Sequence, residues 1–189
     1  MAAFFLLLGR LGRGDMQNFG PIFRPMARFA ITWPRNGRTG KYLRKKISLD
    51  VRVEPIDLEL EGCEVFSDYF TVLKDCYQDY CCQWDFLNMF MAQTHIGSFN
   101  LQRYNPGGHF AEVHSERTSL TKLHRILVWI TYLNDIEEAG ETEFVHYGMK
   151  VKPRMGRTLI WPAEWTLAHR GNPTTATKYI ITGWFNLTA

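Results

Sequence analysis

Cysteine is scarce in this chain and poorly spaced for either of its structural uses. The four that occur, Cys63, Cys76, Cys81 and Cys82, sit within twenty residues of one another. They form no C-x-x-C pair of the kind that opens a zinc site and lack the spread of a secreted disulfide framework, so free, reduced thiols and a cytoplasmic setting are expected. Long apolar runs are missing as well. The run Phe4 to Leu8 falls far short of the roughly 20 residues that span a bilayer, and no positive residue precedes it, so it reads as an ordinary terminus and no membrane partner is expected. Internal repeats and low-complexity tracts are absent. Acidic side chains are nearly missing from the first quarter: residues 1–46 carry ten Lys and Arg against Asp15 alone.

What is present suits one folded unit. With 189 residues, 46% hydrophobic and 14% aromatic, the chain can fill a single sizeable core. At 22% charged residues it is neither a disordered tail nor a fibre. The net charge of +3 hides a basic segment over 1–46 followed by an acidic remainder. A basic arm can meet nucleic acid or an acidic substrate, although scattered arginines on a solvated arm produce the same composition.

Gly and Pro punctuate residues 1–46, which predicts a loop-rich arm. From Ser67 to Met91, Phe66, Tyr69, Phe70, Leu73, Tyr77, Tyr80, Cys81 and Trp84 recur at three- and four-residue steps; this predicts a helix capped by Ser67 within a supporting region, 57–95. Beyond Gly97 come short β-type runs: Phe99 to Tyr104, Ile126 to Leu133, Thr142 to Tyr147, Met149 to Lys152, Thr158 to Trp161 and Tyr179 to Leu187. Turn signals such as Asn105-Pro106-Gly107-Gly108 and Ala139-Gly140 separate them. Brief strands after one helical block predict a mainly β (α+β) domain, 1–189, whose segment 97–189 is a sandwich or jelly roll backed by helix.

The chemistry-bearing residues gather late in the chain. His114-Ser115-Glu116 follows an extended stretch, and alternation along a strand would place His114 and Glu116 on one face. His169 is the best third donor. Two imidazoles and one carboxylate leave three positions open on an octahedral ion, the arrangement that lets Fe(II) take a chelating co-substrate and dioxygen together. H-x-E alone is common by chance, and the companions carry the case. Lys178 opens an apolar strand, where an ammonium group is costly to bury unless an anion meets it; the distal carboxylate of 2-oxoglutarate is such an anion.

Over about eighty residues the pieces Tyr104-Asn105-Pro106-Gly107, His114-x-Glu116, Trp129 to Asp135, Gly140-Glu141-Thr142-Glu143-Phe144, Val151 to Arg157, Trp161-Pro162-Ala163, His169 to Pro173 and Lys178-Tyr179 occur in an order and spacing that resembles the prolyl 4-hydroxylase-like 2-oxoglutarate/Fe(II) dioxygenases, especially their bacterial and bacteriophage branch. The resemblance implies a double-stranded β-helix, cupin-like, with Fe(II) held by His114, Glu116 and His169. It implies 2-oxoglutarate and O2 as co-substrates, and extends to ascorbate binding. Lys178 would pair with the far carboxylate, Tyr104 would donate to the same group, and Thr182 would line the pocket. Glu116 departs from the family's usual aspartate, which leaves open how many of its oxygens bind. The substrate implied is a peptide or protein side chain, prolyl by family habit, with nucleic acid or a small metabolite as the alternative and a non-catalytic binding module as the third reading.

Rival residues remain. Glu112 also alternates with His114. Glu141 and Glu143 could pair for glycoside hydrolysis or serve a structural or rim role. His109, His124 and His146 read as surface or structural groups, and Arg170 as a neighbour of the ligands or a substrate contact. Trp129, Trp161, Trp165 and Trp184 are expected in the core.

Overall fold

The computed structural model describes residues 45–61, 63–90 and 94–188, together with the backbone of Leu7–Arg10. Most of the expected basic arm, and the apolar run before Leu7, therefore lie outside the described residues. Strands β1 (Leu7–Arg10) and β2 (Leu49–Val53) precede helix α1 (Val65–Cys82) and the short α2 (Asp85–Phe90). Strands β3 (Thr94–Ile96), β4 (Phe99–Tyr104), β5 (Phe110–His114), β6 (Arg125–Tyr132), β7 (Thr142–Phe144), β8 (Met149–Val151), β9 (Arg157–Pro162), β10 (His169–Gly171) and β11 (Lys178–Leu187) follow.

Helix α1 forms because its apolar residues share one stripe. Phe66, Tyr69, Leu73, Cys76 and Tyr80 are all buried, at alternating steps of three and four. The helix starts two residues before the expected cap: Glu64 is the cap residue, and Ser67 lies inside the first turn with its N–H bonded to the Glu64 carbonyl. Burial of Cys63 against the core sets this earlier entry, since the Phe66 N–H already closes on the Cys63 carbonyl. The helix also ends sooner than expected, because Gln83 and Trp84 turn back onto the carbonyls of Tyr80 and Cys81 and let Trp84 pack on the core cluster before α2 begins. All four cysteines are free.

Two antiparallel sheets form the rest. The larger runs β1–β9–β6–β11–β4–β2, with β3 paired to the far end of β11; the smaller runs β5–β10–β7–β8. This is a double-stranded β-helix with helix packed on the outer face of the larger sheet. Strand β6 shows why its sequence is almost continuously apolar: Leu127 and Trp129 face α1, while Val128, Ile130 and Tyr132 face the space between the sheets. A polar thread crosses the helix side, with Tyr69 Oη 2.9 Å from Thr131 Oγ1 and Thr131 Oγ1 2.8 Å from Thr158 Oγ1. Gly183 of β11 sits against the Trp129 indole, where a Cβ would lie 2.5 Å from Cζ2, so only glycine fits without moving the ring.

The expected strands fall on β4, β6, β8, β9 and β11 within a residue or two. The run Thr142 to Tyr147 divides: β7 covers its first half, and a 3-10 turn over Val145–Tyr147 ends in left-handed Gly148. One of the four expected core tryptophans is elsewhere, and another, Trp184, is half-buried against the core between the sheets. Trp129 and Trp161 are fully buried, but Trp165 sits on a 3-10 turn after β9 and is 71% exposed. Trp184 lies on the inner face of β11 and lines a cavity.

Candidate metal centre

Histidines 114 and 169 meet because β5 and β10 pair antiparallel with these residues directly opposite. Their ring centroids are 4.4 Å apart. Glu116 arrives differently from the expected strand alternation: β5 ends at His114, and the chain turns off its ladder, the Arg117 N–H reaching the Ala163 carbonyl at the end of β9. The carboxylate then comes back over the two rings, Oε1 lying 3.7 Å from His114 Nε2 and 3.8 Å from His169 Nε2. One donor atom from each of the three residues lies within 4.8 Å of the others. Metal–ligand bonds of about 2 Å on either side of an ion bring ligand atoms to about 3–4 Å from each other, so the trio can close on one cation.

The hydrogen bonds behind the trio point the same way. His114 Nδ1 donates to the Glu112 carbonyl at 2.8 Å and His169 Nδ1 to the Leu167 carbonyl at 3.0 Å. A carbonyl only accepts, so the proton belongs on each Nδ1 and each Nε2 turns a lone pair inward. Burial, reinforced by neighbouring His114 and only partly opposed by the Leu167 carbonyl, drops the His169 pKa to about 3, which keeps that imidazole in its metal-binding form. Glu116 Oε2 faces away from the rings and accepts from Trp184 Nε1 at 2.9 Å and from Arg125 at 3.2 Å. The donor set of two nitrogens and one oxygen suits Fe(II).

The trio lines a cavity of about 770 Å³ between the sheets. Alternate residues of β11 form one wall: Lys178, Ile180, Thr182 and Trp184. Lys178 is 3% exposed, donates to the Gly140 carbonyl at 2.8 Å and lies 4.7 Å over the Tyr104 ring. Its remaining N–H groups have an open cavity beside them. Burial lowers its pKa to about 8, with nearby Glu141 pulling the other way. Tyr104 presents its ring to the ammonium group, while its hydroxyl donates to Gln102 at 2.6 Å. The Thr182 hydroxyl donates to the Trp129 carbonyl at 2.8 Å.

Two of the three rival carboxylates are paired with cations. Glu112 pairs with Lys45. Glu143 takes a two-pronged contact from Arg170, both bonds at 3.1 Å, and so is not half of a free carboxyl pair. Arg170 is thereby held at the cavity wall beside His169. His109 accepts the Ala111 N–H and braces its own turn, and His124 and His146 are exposed. Sequence reasoning missed Arg125, Trp184 and Tyr132 as cavity residues. A two-residue step along β11 from Lys178 finds Trp184; Arg125 comes from β6, and nothing local marks it.

Comparison with known proteins agrees with this geometry. Residues 99–186 match the family described as the 2OG-Fe(II) oxygenase superfamily. No curated protein sequence matches the chain. Among solved structures, a Pseudomonas putida prolyl-4-hydroxylase superposes with a TM-score of 0.70 at 15% identity, covering 97% of this chain and 92% of that one. A Trichoplax adhaerens prolyl hydroxylase, in complex with a hypoxia inducible factor oxygen degradation domain peptide fragment, gives 0.71 at 14% identity over 96% and 82%. The viral collagen prolyl hydroxylase of Paramecium Bursaria Chlorella virus-1 gives 0.64 at 17% over 98% of each chain. At these identities the superpositions speak for the fold, and the family match speaks for the chemistry: residues 99–186 form a 2OG-Fe(II) oxygenase domain, and the protein is a dioxygenase that uses Fe(II), 2-oxoglutarate and O2.

Proposed function

We propose that this enzyme hydroxylates an unactivated C–H bond on a protein or peptide side chain, prolyl first among them, and couples that step to conversion of 2-oxoglutarate into succinate and CO2. One oxygen atom of O2 would enter the new hydroxyl and the other the succinate carboxylate. The observation that carries the reading is the shared cavity, in which three converging donor atoms and a buried lysine line the same walls. His114, Glu116 and His169 would hold Fe(II), which when bound supplies the oxygen-activating chemistry. Lys178 would take the far carboxylate of 2-oxoglutarate through a charge-assisted hydrogen bond in a water-poor setting, with the Tyr104 ring and Thr182 shaping the space around it. Fixing one end of the co-substrate in this way sets where its 2-oxo acid end lies, which is a positional contribution of the protein. The peptide-bound Trichoplax structure supports a peptide substrate.

Anaerobic titration with Fe(II) and 2-oxoglutarate tests the site. A weak visible absorption should develop in the wild type and be absent from His114→Ala; its persistence in that variant would overturn the ligand assignment. Succinate release separates an enzyme from a binding module. Incubation with proline-containing peptides and, in parallel, oligonucleotides should add about 16 Da to the peptides only. A mass gain on the oligonucleotides would favour the nucleic-acid reading suggested by the basic residues 1–46.

A further inference from the structure

We infer that Trp184 and Arg125 act as a clamp that makes Glu116 a one-oxygen ligand, so that a glutamate can serve where the resembling family usually places aspartate. The inference rests on the trio being the metal site and concerns how Glu116 is held within it.

A glutamate has one more rotatable bond than an aspartate, and an unrestrained carboxylate on that longer arm can turn both oxygens to a cation. Here both donors grip the same oxygen. Oε2 accepts from the Trp184 indole at 2.9 Å and from Arg125 at 3.2 Å, while Oε1 alone faces the two imidazoles. The clamp is itself rigid, because the Arg125 guanidinium lies 3.6 Å from the centroid of the Trp184 ring. The two residues come from strands β6 and β11, which pair antiparallel from Ile180 to Asn186 with a register shift between Phe185 and Asn186. The Glu116 and Arg125 side chains are only 14% and 18% exposed, so little water competes for the bond. Turning Oε2 toward the cation would strand a largely buried guanidinium and an indole N–H without their acceptor, a rearrangement that costs more than it returns. One oxygen and two nitrogens then leave about three positions of a six-coordinate ion for the two oxygens of 2-oxoglutarate and for O2. Binding through both oxygens would fill one of those positions.

The test uses Mn(II) as the probe and needs no turnover. Mn(II) affinity is read from the free-ion electron paramagnetic resonance signal, bound water from proton relaxation, and 2-oxoglutarate affinity from calorimetry on the Mn(II) protein. Wild type should hold about three exchangeable waters before 2-oxoglutarate is added. Trp184→Phe, which keeps an aromatic ring but loses the donor, and Trp184→Phe with Arg125→Met should each lower the water number, the double change by about one, and weaken 2-oxoglutarate by about tenfold. In a Glu116→Asp background, where the shorter arm no longer reaches the clamp, Trp184→Phe should alter 2-oxoglutarate affinity less than about twofold. Wild-type water number and affinity in both clamp variants, or an equal loss in the Glu116→Asp background, would overturn the clamp. Failure of the wild type to bind Mn(II) would instead strike the metal assignment beneath it.

Discussion

Lys178 combines full burial with a charge, and its behaviour should be visible in a titration. Its folded pKa of about 8 lies below its ordinary value near 10.5 because water is excluded, and Glu141 offsets only part of that. Below about 8 the ammonium form is present and can receive a carboxylate; as pH rises through 8 the anchor is lost. Calorimetry on the Mn(II) protein should therefore show 2-oxoglutarate weakening by up to about tenfold per pH unit above 8. Lys178→Met should bind at least about a hundredfold more weakly and show no such slope. For stability without co-substrate the sign is opposite. Between about 8 and 10.5 the unfolded chain holds the additional proton, so this group's contribution makes the fold more stable as pH rises across that window. At neutral pH Lys178→Met should accordingly melt higher than wild type. A second residue stores strain beside it: Ala139 has φ 62 next to Gly140 at φ 73, whose carbonyl receives Lys178. Ala139→Gly removes a left-handed penalty and should stabilise the fold by about 1 kcal/mol in urea unfolding.

At the scale of elements, α1 is the supporting member most open to attack. Leu73 is 1% exposed at the centre of the stripe that faces the larger sheet, and Leu73→Ala should cost about 2–5 kcal/mol. Tyr69→Phe removes the hydroxyl that ties the helix to Thr131 on β6 and should cost about 1–2 kcal/mol, with the metal affinity unchanged because the cavity lies on the other face of the sheet. A comparable loss of Mn(II) binding in that variant would show that helix and site are coupled. The helix and the long inner strands were legible because each has a clear period: three-to-four steps along α1, and a continuous apolar run along β6, which is buried on both faces. Strands β2 and β3 were not. They are only five and three residues long, β2 mostly exposed and β3 no more than half-buried, so neither runs far enough for a period to stand out. Trp165 was misplaced for a related reason, since nothing in its neighbours tells a core tryptophan from one carried outward on a 3-10 turn.

For the molecule as a whole, the cavity between the sheets makes ligand and fold interdependent. Mn(II) and 2-oxoglutarate at about a hundredfold excess over their dissociation constants should add roughly 3 kcal/mol each. In a chain of this size each kcal/mol is worth about 2–4 °C in Tm. Scanning calorimetry should thus show an upward shift that a chelator reverses and that His169→Ala abolishes. Among the described residues no helix is long and apolar enough to cross a membrane.

What the amino-acid order determined by itself was the chemistry on offer: two imidazoles, a carboxylate and a misplaced lysine, in a motif order that names the reaction class. These are covalent facts, and local spacing reports them. Which atoms meet was decided only in three dimensions. The β5–β10 register sets His114 against His169, a turn rather than strand alternation delivers Glu116, and the β6–β11 ladder brings Arg125 and Trp184 to its second oxygen. Such contacts join residues up to 68 positions apart, and the reason they escape a reading of the chain is physical: sheet register is a cooperative property of all the strands, carried by no single segment.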